Sequence, residues 1–167
     1  MWDMNTRESK VLQNNDYSTD ALRQTIVAIS PDGRFIAAGY SSNTDVRIWD
    51  VSSGTLLINR LRGHRKGILS VAFTPDGKGL VSGSIDGTLK YWELNMTNNN
   101  ALDAGGPFSK CILDLKSRVF HVAVSHDDQW IVSGSVDDGV QFWDKHGRAQ
   151  LTLQGPEYFG ARLCIQT

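Results

Sequence analysis

Short apolar runs separated by turn residues dominate the middle of the chain. The segment 63–93 contains three such runs, at residues 68–73, 80–84 and 88–92. A Pro-Asp-Gly turn joins the first two runs, and an Asp-Gly turn joins the last two. Apolar runs of this length, bounded by tight turns, are typical of β-strands. The segment therefore predicts an antiparallel meander.

The same pattern recurs along the chain. A tryptophan closes a comparable run at Trp49, Trp92 and Trp143, with spacings of 43 and then 51 residues. The first spacing matches the period of a WD-repeat propeller blade, roughly 40–45 residues. The second spacing is longer because it includes the polar tract 96–106. The recurrence predicts an all-β fold, a WD40-type β-propeller.

The count of repeats predicts a partial propeller in an open ring, with about three blades and a fragment of a fourth. Closed propellers have about 4–8 blades. We assign residues 1–155 to the propeller and residues 156–167 to an irregular C-terminal tail. The predicted blades are 1–23 (partial), 24–62, 63–115 and 116–155.

An open arc leaves two end faces without a neighbouring blade. Because each blade buries its apolar face against its neighbours, we expect missing blades or self-association to cover these ends, and an isolated chain to oligomerise or aggregate. The residues expected to be exposed are Ile26, Ile29, Ile36 and Ile48 at one end, and Val124, Ile131, Val140 and Phe142 at the other.

One blade carries a complete set of polar residues for a buried hydrogen-bond network. His64, Asp86 and Trp92 stand at the positions of the structural tetrad of a WD repeat, with Ser82 or Ser84 of the second strand as the fourth member. An imidazole can bind a carboxylate and a hydroxyl at once, and a buried indole N–H needs an acceptor. Partial tetrads are expected in the other blades, from Trp49 and from Ser133, Asp137 and Trp143.

A serine, a histidine and an aspartate also occur in hydrolases, but other features exclude an enzyme. Hydrolases of that type need an exposed nucleophile, often on a Gly-x-Ser-x-Gly elbow, and an oxyanion hole. The serines here lie within predicted strands, and no phosphate loop, dinucleotide fingerprint or Cys-x-x-Cys spacing occurs. We expect no enzymatic activity, no cofactor and no metal.

Composition and charge narrow the class of partners. The chain has 167 residues, 40% of them hydrophobic, and a formal net charge of −1. Such a balance does not indicate direct nucleic-acid binding. No signal peptide stands at the start, and no apolar run approaches the ~18 residues of a membrane helix, so we expect an intracellular protein.

Loops at one end of the predicted propeller form a candidate binding surface, here called the loop face. It comprises residues 43–45, 62–66, 85–87, 116–118 and 136–139, while the Pro-Asp-Gly turns lie at the opposite end. Its mixed charges suit short peptides of acidic or apolar character, although charges of this kind are, residue by residue, more often those of ordinary solvated loops. The candidate residues are Asp45, Arg62, Arg65, Lys66, Lys116, Arg118 and Asp138.

A closer resemblance is carried by several motifs together. They are RFIAAG at 34–39, VRIWD at 46–50, LVSGS at 80–84, IVSGS at 131–135 and VQFWDK at 140–145. With the polar insertion at 96–106, this set resembles the C-terminal propeller of the fungal Tup-type (Groucho-like) general transcriptional corepressors. The resemblance implies an interaction scaffold in the nucleus that docks DNA-bound repressors, chromatin components and adaptor subunits. A WD-repeat adaptor of another class, such as a ubiquitin-ligase substrate receptor or a signalling scaffold, remains the alternative.

Overall fold

The computed structural model describes residues 25–94, 109–114, 117–144 and 146–153, which form three four-stranded antiparallel sheets. The first sheet contains β1 (Thr25–Ile29), β2 (Phe35–Tyr40), β3 (Val46–Asp50) and β4 (Leu56–Leu61). The second contains β5 (Ile68–Phe73), β6 (Gly79–Ser84), β7 (Thr88–Glu93) and β8 (Ser109–Asp114). The third contains β9 (Val119–Val124), β10 (Trp130–Ser135), β11 (Gly139–Asp144) and β12 (Ala149–Leu153).

Each sheet is a meander in which strands adjacent in sequence are paired. In the second sheet, for example, Leu80 pairs with Phe73 on one side and with Trp92 on the other. The predicted fold class, an all-β partial propeller in an open arc, is confirmed. The three sheets fall within the predicted blade ranges 24–62, 63–115 and 116–155, whereas the predicted blade fragment 1–23 and the tail 156–167 lie outside the described residues.

Two apolar layers hold the three sheets together. The first lies between the first and second sheets and includes Ile48, Ile58, Ile68, Leu80 and Trp92. The second lies between the second and third sheets and is built on Val81, Leu89, Ile131 and Trp143. Both faces of the second sheet are therefore buried, as expected of a blade with a neighbour on each side.

Glycines bring the sheets into close contact. A Cβ atom at Gly39 of β2 would lie 2.6 Å from Cγ2 of Ile68, the first residue of β5. A Cβ atom at Gly83 of β6 would lie 2.6 Å from Cγ1 of Val119, the first residue of β9. In each case a β-branched side chain of one sheet packs directly on the glycine backbone of the preceding sheet, where any larger residue would collide.

A hydrogen bond also joins the second and third sheets. The backbone N–H of Val122 in β9 donates to Oγ of Ser70 in β5 at 3.0 Å. Both residues belong to the first strands of their sheets, β9 and β5, which are in contact with each other. The contact between the two sheets is therefore partly polar as well as apolar.

The expected exposure of the two end faces is wrong for several residues. Ile36, Ile48 and Ile131 were expected to be exposed but are buried. Ile29 is 65% exposed, as expected. Side chains alternate between the two faces of a strand, and Ile48 and Ile131 project toward the second sheet rather than toward the ends of the arc. Ile26, Val124, Val140 and Phe142 are only half-buried. Other exposed apolar side chains at the ends are Val27, Leu151 and Leu153.

The turns between the first two strands of each sheet share one hydrogen-bonded structure. In the second sheet the Thr74 hydroxyl donates to Asp76 at 2.6 Å and accepts from the N–H of Gly79 at 2.8 Å. Ser30 and Ser125 make the equivalent contacts in the other two sheets. Hydroxyl-to-backbone bonds of this kind favour tight turns. They fix the end of the arc opposite the loop face.

Candidate functional site

A buried hydrogen-bond network runs through the second sheet. His64 precedes β5, Ser82 lies in the middle of β6, and Trp92 lies near the end of β7. The Trp92 indole N–H donates to Oγ of Ser82 at 2.8 Å, and Nε2 of His64 lies 2.7 Å from the same oxygen. Because an indole can only donate, the Ser82 hydroxyl proton is left for Nε2 of His64. All three side chains are buried.

The network continues from His64 to the β6–β7 turn. With Nε2 as acceptor, Nδ1 carries the proton and donates to Oγ1 of Thr88 at 2.8 Å. The Thr88 hydroxyl in turn donates to Asp86 at 2.6 Å, while the Asp86 carboxylate lies 3.4 Å from Nδ1 of His64. Asp86 also accepts from the backbone N–H of Arg65 at 2.6 Å. The network thus ties the β4–β5 connection to the β6–β7 turn.

The structure brings the predicted tetrad residues together and adds a member. Ser82, rather than Ser84, contacts His64 and Trp92, whereas the Ser84 hydroxyl donates to the backbone carbonyls of Lys66 and Gly67. Thr88 was not predicted to belong to the network. The sequence feature that could have indicated it is a hydroxyl side chain two residues after the turn aspartate, where it can donate to that carboxylate.

Burial and hydrogen bonding set the charges of the two titratable members. Burial lowers the pKa of His64 from 6.5 to about 4, although the nearby Asp86 charge favours protonation. Burial acts to raise the pKa of Asp86, but the bonds from Thr88 and from the Arg65 backbone outweigh it and hold that pKa at about 2. At neutral pH the network therefore contains a neutral imidazole and an ionised carboxylate.

These pKa values predict that acid weakens the fold well above pH 4. The unfolded chain takes up a proton on His64 near pH 6.5, whereas the folded chain does so only near pH 4. The unfolded state therefore binds more protons in this window, so the free energy of unfolding should fall by about 2 kcal/mol between pH 7 and pH 5. Below about pH 4 the contribution of Asp86 is lost as well. Urea unfolding at pH 7 and pH 5 measures the difference.

The control for this prediction is the His64→Gln variant. Glutamine keeps polar atoms at the site but does not titrate, so the variant should lose most of the pH dependence between pH 7 and pH 5 even if it is less stable throughout. An unchanged pH dependence in the variant would show that another group is responsible.

The network is not arranged for catalysis. Ser82 is completely buried, and its hydroxyl is engaged by His64 and Trp92, so no substrate carbonyl can reach it. Within the part of the chain that the structure describes, no group of three or more His, Cys, Asp or Glu residues is placed to hold a metal ion. The arrangement stabilises the sheet and positions its turn.

The other two sheets contain only parts of this network. In the third sheet the Trp143 indole N–H donates to Oγ of Ser133 at 3.0 Å. Asp137 is exposed, and Asp138 instead accepts from the hydroxyls of Ser117 and Ser135. In the first sheet Trp49 is buried, but Ala38 occupies the position of Ser82 and offers no hydroxyl.

Asp138 replaces Asp137 because the two turns have different backbone conformations. The left-handed residue of the β6–β7 turn is Gly87, directly after Asp86, with φ of 84°. In the β10–β11 turn the left-handed residue is Gly139, with φ of 69°, two residues after Asp137. The second aspartate of that turn is therefore the one that faces the serines.

The strand order places the loops of the predicted loop face at one end of the arc, but not all of the candidate residues are exposed there. Successive antiparallel strands place the β2–β3, β6–β7 and β10–β11 turns and the β4–β5 and β8–β9 connections at the same end. Asp45 does not belong to the accessible surface: it is only 7% exposed and bonds within its own turn through Asn43 and Thr44. Asp138 is half-buried, and Lys116 lies outside the described residues. Among its described residues, the exposed cations of this face are Arg62, Arg65, Lys66 and Arg118.

A cleft of about 460 Å³ opens on the loop face between the second and third sheets. Lys66 and Ile85 of the second sheet stand on one side, and Arg118, Phe120 and Val136 of the third sheet stand on the other. Its volume lies within the range of small-ligand sites, roughly 300–1,000 Å³. The loops around this cleft could be predicted from the sequence, but the cleft itself could not.

Comparison with known families identifies the class of protein. Residues 20–50, 55–93 and 109–144 match the WD domain, G-beta repeat family, and together they make up more than half of the chain. The chain belongs to the WD-repeat family, whose members are interaction scaffolds rather than enzymes. The repeats at 55–93 and 109–144 span β4 to β7 and β8 to β11, so each of these two sequence repeats begins with the last strand of the preceding sheet.

Several fungal proteins are similar in sequence. The Periodic tryptophan protein 2 homolog of Neurospora crassa is 35% identical over 124 residues, which cover 74% of this chain and 13% of that protein. The Nuclear distribution protein PAC1 of Arthroderma benhamiae is 25% identical over 93% of this chain and 37% of its own length. The Target of rapamycin complex subunit wat1 of Schizosaccharomyces pombe is 28% identical over 81% of this chain and 38% of its own length. The chain thus spans well under half of these relatives.

Within the described residues, no helix is long and apolar enough to cross a bilayer.

Proposed function

We propose that the loop face of this scaffold docks a peptide segment of a partner protein. The observation that carries the proposal is the presence of four exposed cations on the loop face, Arg62, Arg65, Lys66 and Arg118, the last two of which line a cleft there. A rigid array of sheets that presents charged loops beside a recess suits recognition of short peptides. Charge complementarity there would favour acidic segments.

The role in the cell is a narrower proposal. The motif set that resembles the Tup-type corepressors supports a nuclear scaffold that docks DNA-bound repressors, chromatin components and adaptor subunits. None of the three relatives described above has the name of a corepressor. The name of wat1, a complex subunit, favours the second candidate, an adaptor within another kind of multiprotein assembly.

Peptide selection combined with charge reversal tests the docking proposal. A phage-displayed library of random dodecapeptides is selected against the full 167-residue chain, and the enriched peptides are synthesised and measured by fluorescence anisotropy. The Arg65→Glu/Lys66→Glu variant should bind them about tenfold more weakly, because opposing charges on the peptide are then repelled. Its melting temperature should change little, since exposed loop charges contribute little to stability.

The opposite end of the arc supplies the matched control. Arg34 and Lys78 are exposed cations in the β1–β2 and β5–β6 turns. The Arg34→Glu/Lys78→Glu variant carries the same change of charge and should bind the peptides like the wild type. Equal losses in the two variants, or no enriched peptide at all, would rule out docking on the loop face.

A further inference from the structure

We infer that the cleft between the second and third sheets is the anchoring site for this peptide, and that it takes an apolar side chain flanked by carboxylates. The inference rests on the proposed function and goes beyond it, because it assigns the contact to one recess and one class of side chain. Three properties of the cleft support it: three apolar side chains in its lining, two cations without an ion pair among the described residues, and fixed walls.

Three of the side chains that line the cleft are apolar. Val136, at the β10–β11 turn, is 58% exposed, and Ile85 and Phe120 are half-buried beside it. Ile85 lies in the β6–β7 turn of the second sheet, whereas Phe120 in β9 and Val136 in the β10–β11 turn belong to the third. An apolar side chain placed between them would remove all three from water, which favours binding in proportion to the area covered.

The lining of the cleft contains two cations, Lys66 and Arg118, and the cations are more available to a ligand than the carboxylates. The Asp86 carboxylate is turned inward, toward Thr88, the Arg65 backbone and His64, and Asp138 accepts from two serine hydroxyls. Lys66 and Arg118 are exposed at the rim, and neither forms an ion pair within the described residues. The exposed Asp137 offsets one of them only in part. Carboxylates beside the apolar anchor would meet these two cations.

The walls of the cleft are fixed before a ligand arrives. The backbone carbonyl of Lys66 accepts from Oγ of Ser84 at 3.1 Å, and the Arg65 amide is held by Asp86. The bond from Val122 to Ser70 joins the two sheets that form the walls. A preformed site of this kind loses little conformational freedom on binding, which favours affinity.

The peptides enriched from the dodecapeptide library test the inference on the full chain. They should share an apolar residue next to Asp or Glu. Replacing that apolar residue by glycine, or changing Val136→Asp in the protein, should weaken binding about tenfold, and Lys66→Glu/Arg118→Glu should do the same. A charge swap provides a positive signal: peptides in which lysine replaces the acidic residues should bind the Lys66→Glu/Arg118→Glu variant about tenfold better than the wild type.

The outcomes separate this inference from the proposed function. Arg62 and Arg65 lie on the loop face but do not line the cleft. In the contrary outcome, the enriched peptides fail to bind the Arg62→Glu/Arg65→Glu variant, yet bind the Lys66→Glu/Arg118→Glu and Val136→Asp variants like the wild type. That result would overturn the assignment of the anchoring site to the cleft and would leave docking on the loop face supported. A library without any enriched peptide would overturn both. Rescue by the swapped charges supports both.

Discussion

Gly67→Ala should destabilise the chain by more than about 3 kcal/mol, or prevent it from folding, because the new methyl group has no space. Gly67 lies just before β5, and a Cβ atom there would stand 1.7 Å from the carbonyl oxygen of Ser41 in the β2–β3 turn. The obstacle is backbone, so no side-chain rotation can relieve it. Urea unfolding followed by tryptophan fluorescence measures the loss.

A second glycine separates this collision from the ordinary conformational cost of alanine. Gly33 has a φ of 71°, but a Cβ atom there would meet nothing within 4 Å. Gly33→Ala should therefore cost only the left-handed strain of about 1–2 kcal/mol. If the two variants lose the same stability, the first and second sheets do not approach each other as closely at Gly67 as described.

Ser82→Ala should cost about 2–5 kcal/mol, because one hydroxyl serves two buried groups. Without it, Nε1 of Trp92 and Nε2 of His64 both lose their partner in the interior of the second sheet. Leaving a buried polar group unpaired costs about 1–3 kcal/mol each. The loss is measured as the change in the free energy of unfolding in urea at pH 7.

The third sheet offers the matched substitution. Ser133 occupies the equivalent position, and its hydroxyl accepts from Trp143 at 3.0 Å without a histidine on its other side among the described contacts. Ser133→Ala should cost about half as much as Ser82→Ala, since a single donor is left unpaired. A larger loss from Ser133→Ala would mean that the contact from His64 to Ser82 adds nothing to stability.

The fold could be predicted from the sequence because its signals are local and repeated. Apolar runs between turn residues specify strands, and the recurrence of Trp49, Trp92 and Trp143 gave the period of the sheets. The choice between Ser82 and Ser84 could not be made in this way. Both lie in β6 and on the same face of it, and only the contacts in the folded chain decide which hydroxyl meets His64.

The residues whose exposure or contacts were predicted wrongly lie in turns, and their positions depend on the backbone conformation of those turns. Asp45 carries a charge in a loop, which usually indicates exposure, yet its turn folds it against the sheet. The roles of Asp137 and Asp138 depend on which residue of the turn adopts a left-handed conformation. The cleft joins side chains that are about 50 residues apart, such as Lys66 and Arg118, and no local pattern reports their proximity.

The hydrogen bond from Val122 to Ser70 restricts how the second and third sheets can slide past each other. Apolar packing is non-directional, so it alone would tolerate a small translation of one sheet along the other. A displacement by one residue, about 3.3 Å along a strand, would break this bond and leave the Val122 N–H facing the wrong side chain. The bond thus fixes the alignment of two sheets that each contribute one wall of the cleft. The distance between Lys66 and Arg118 is set by that alignment and not by either sheet alone.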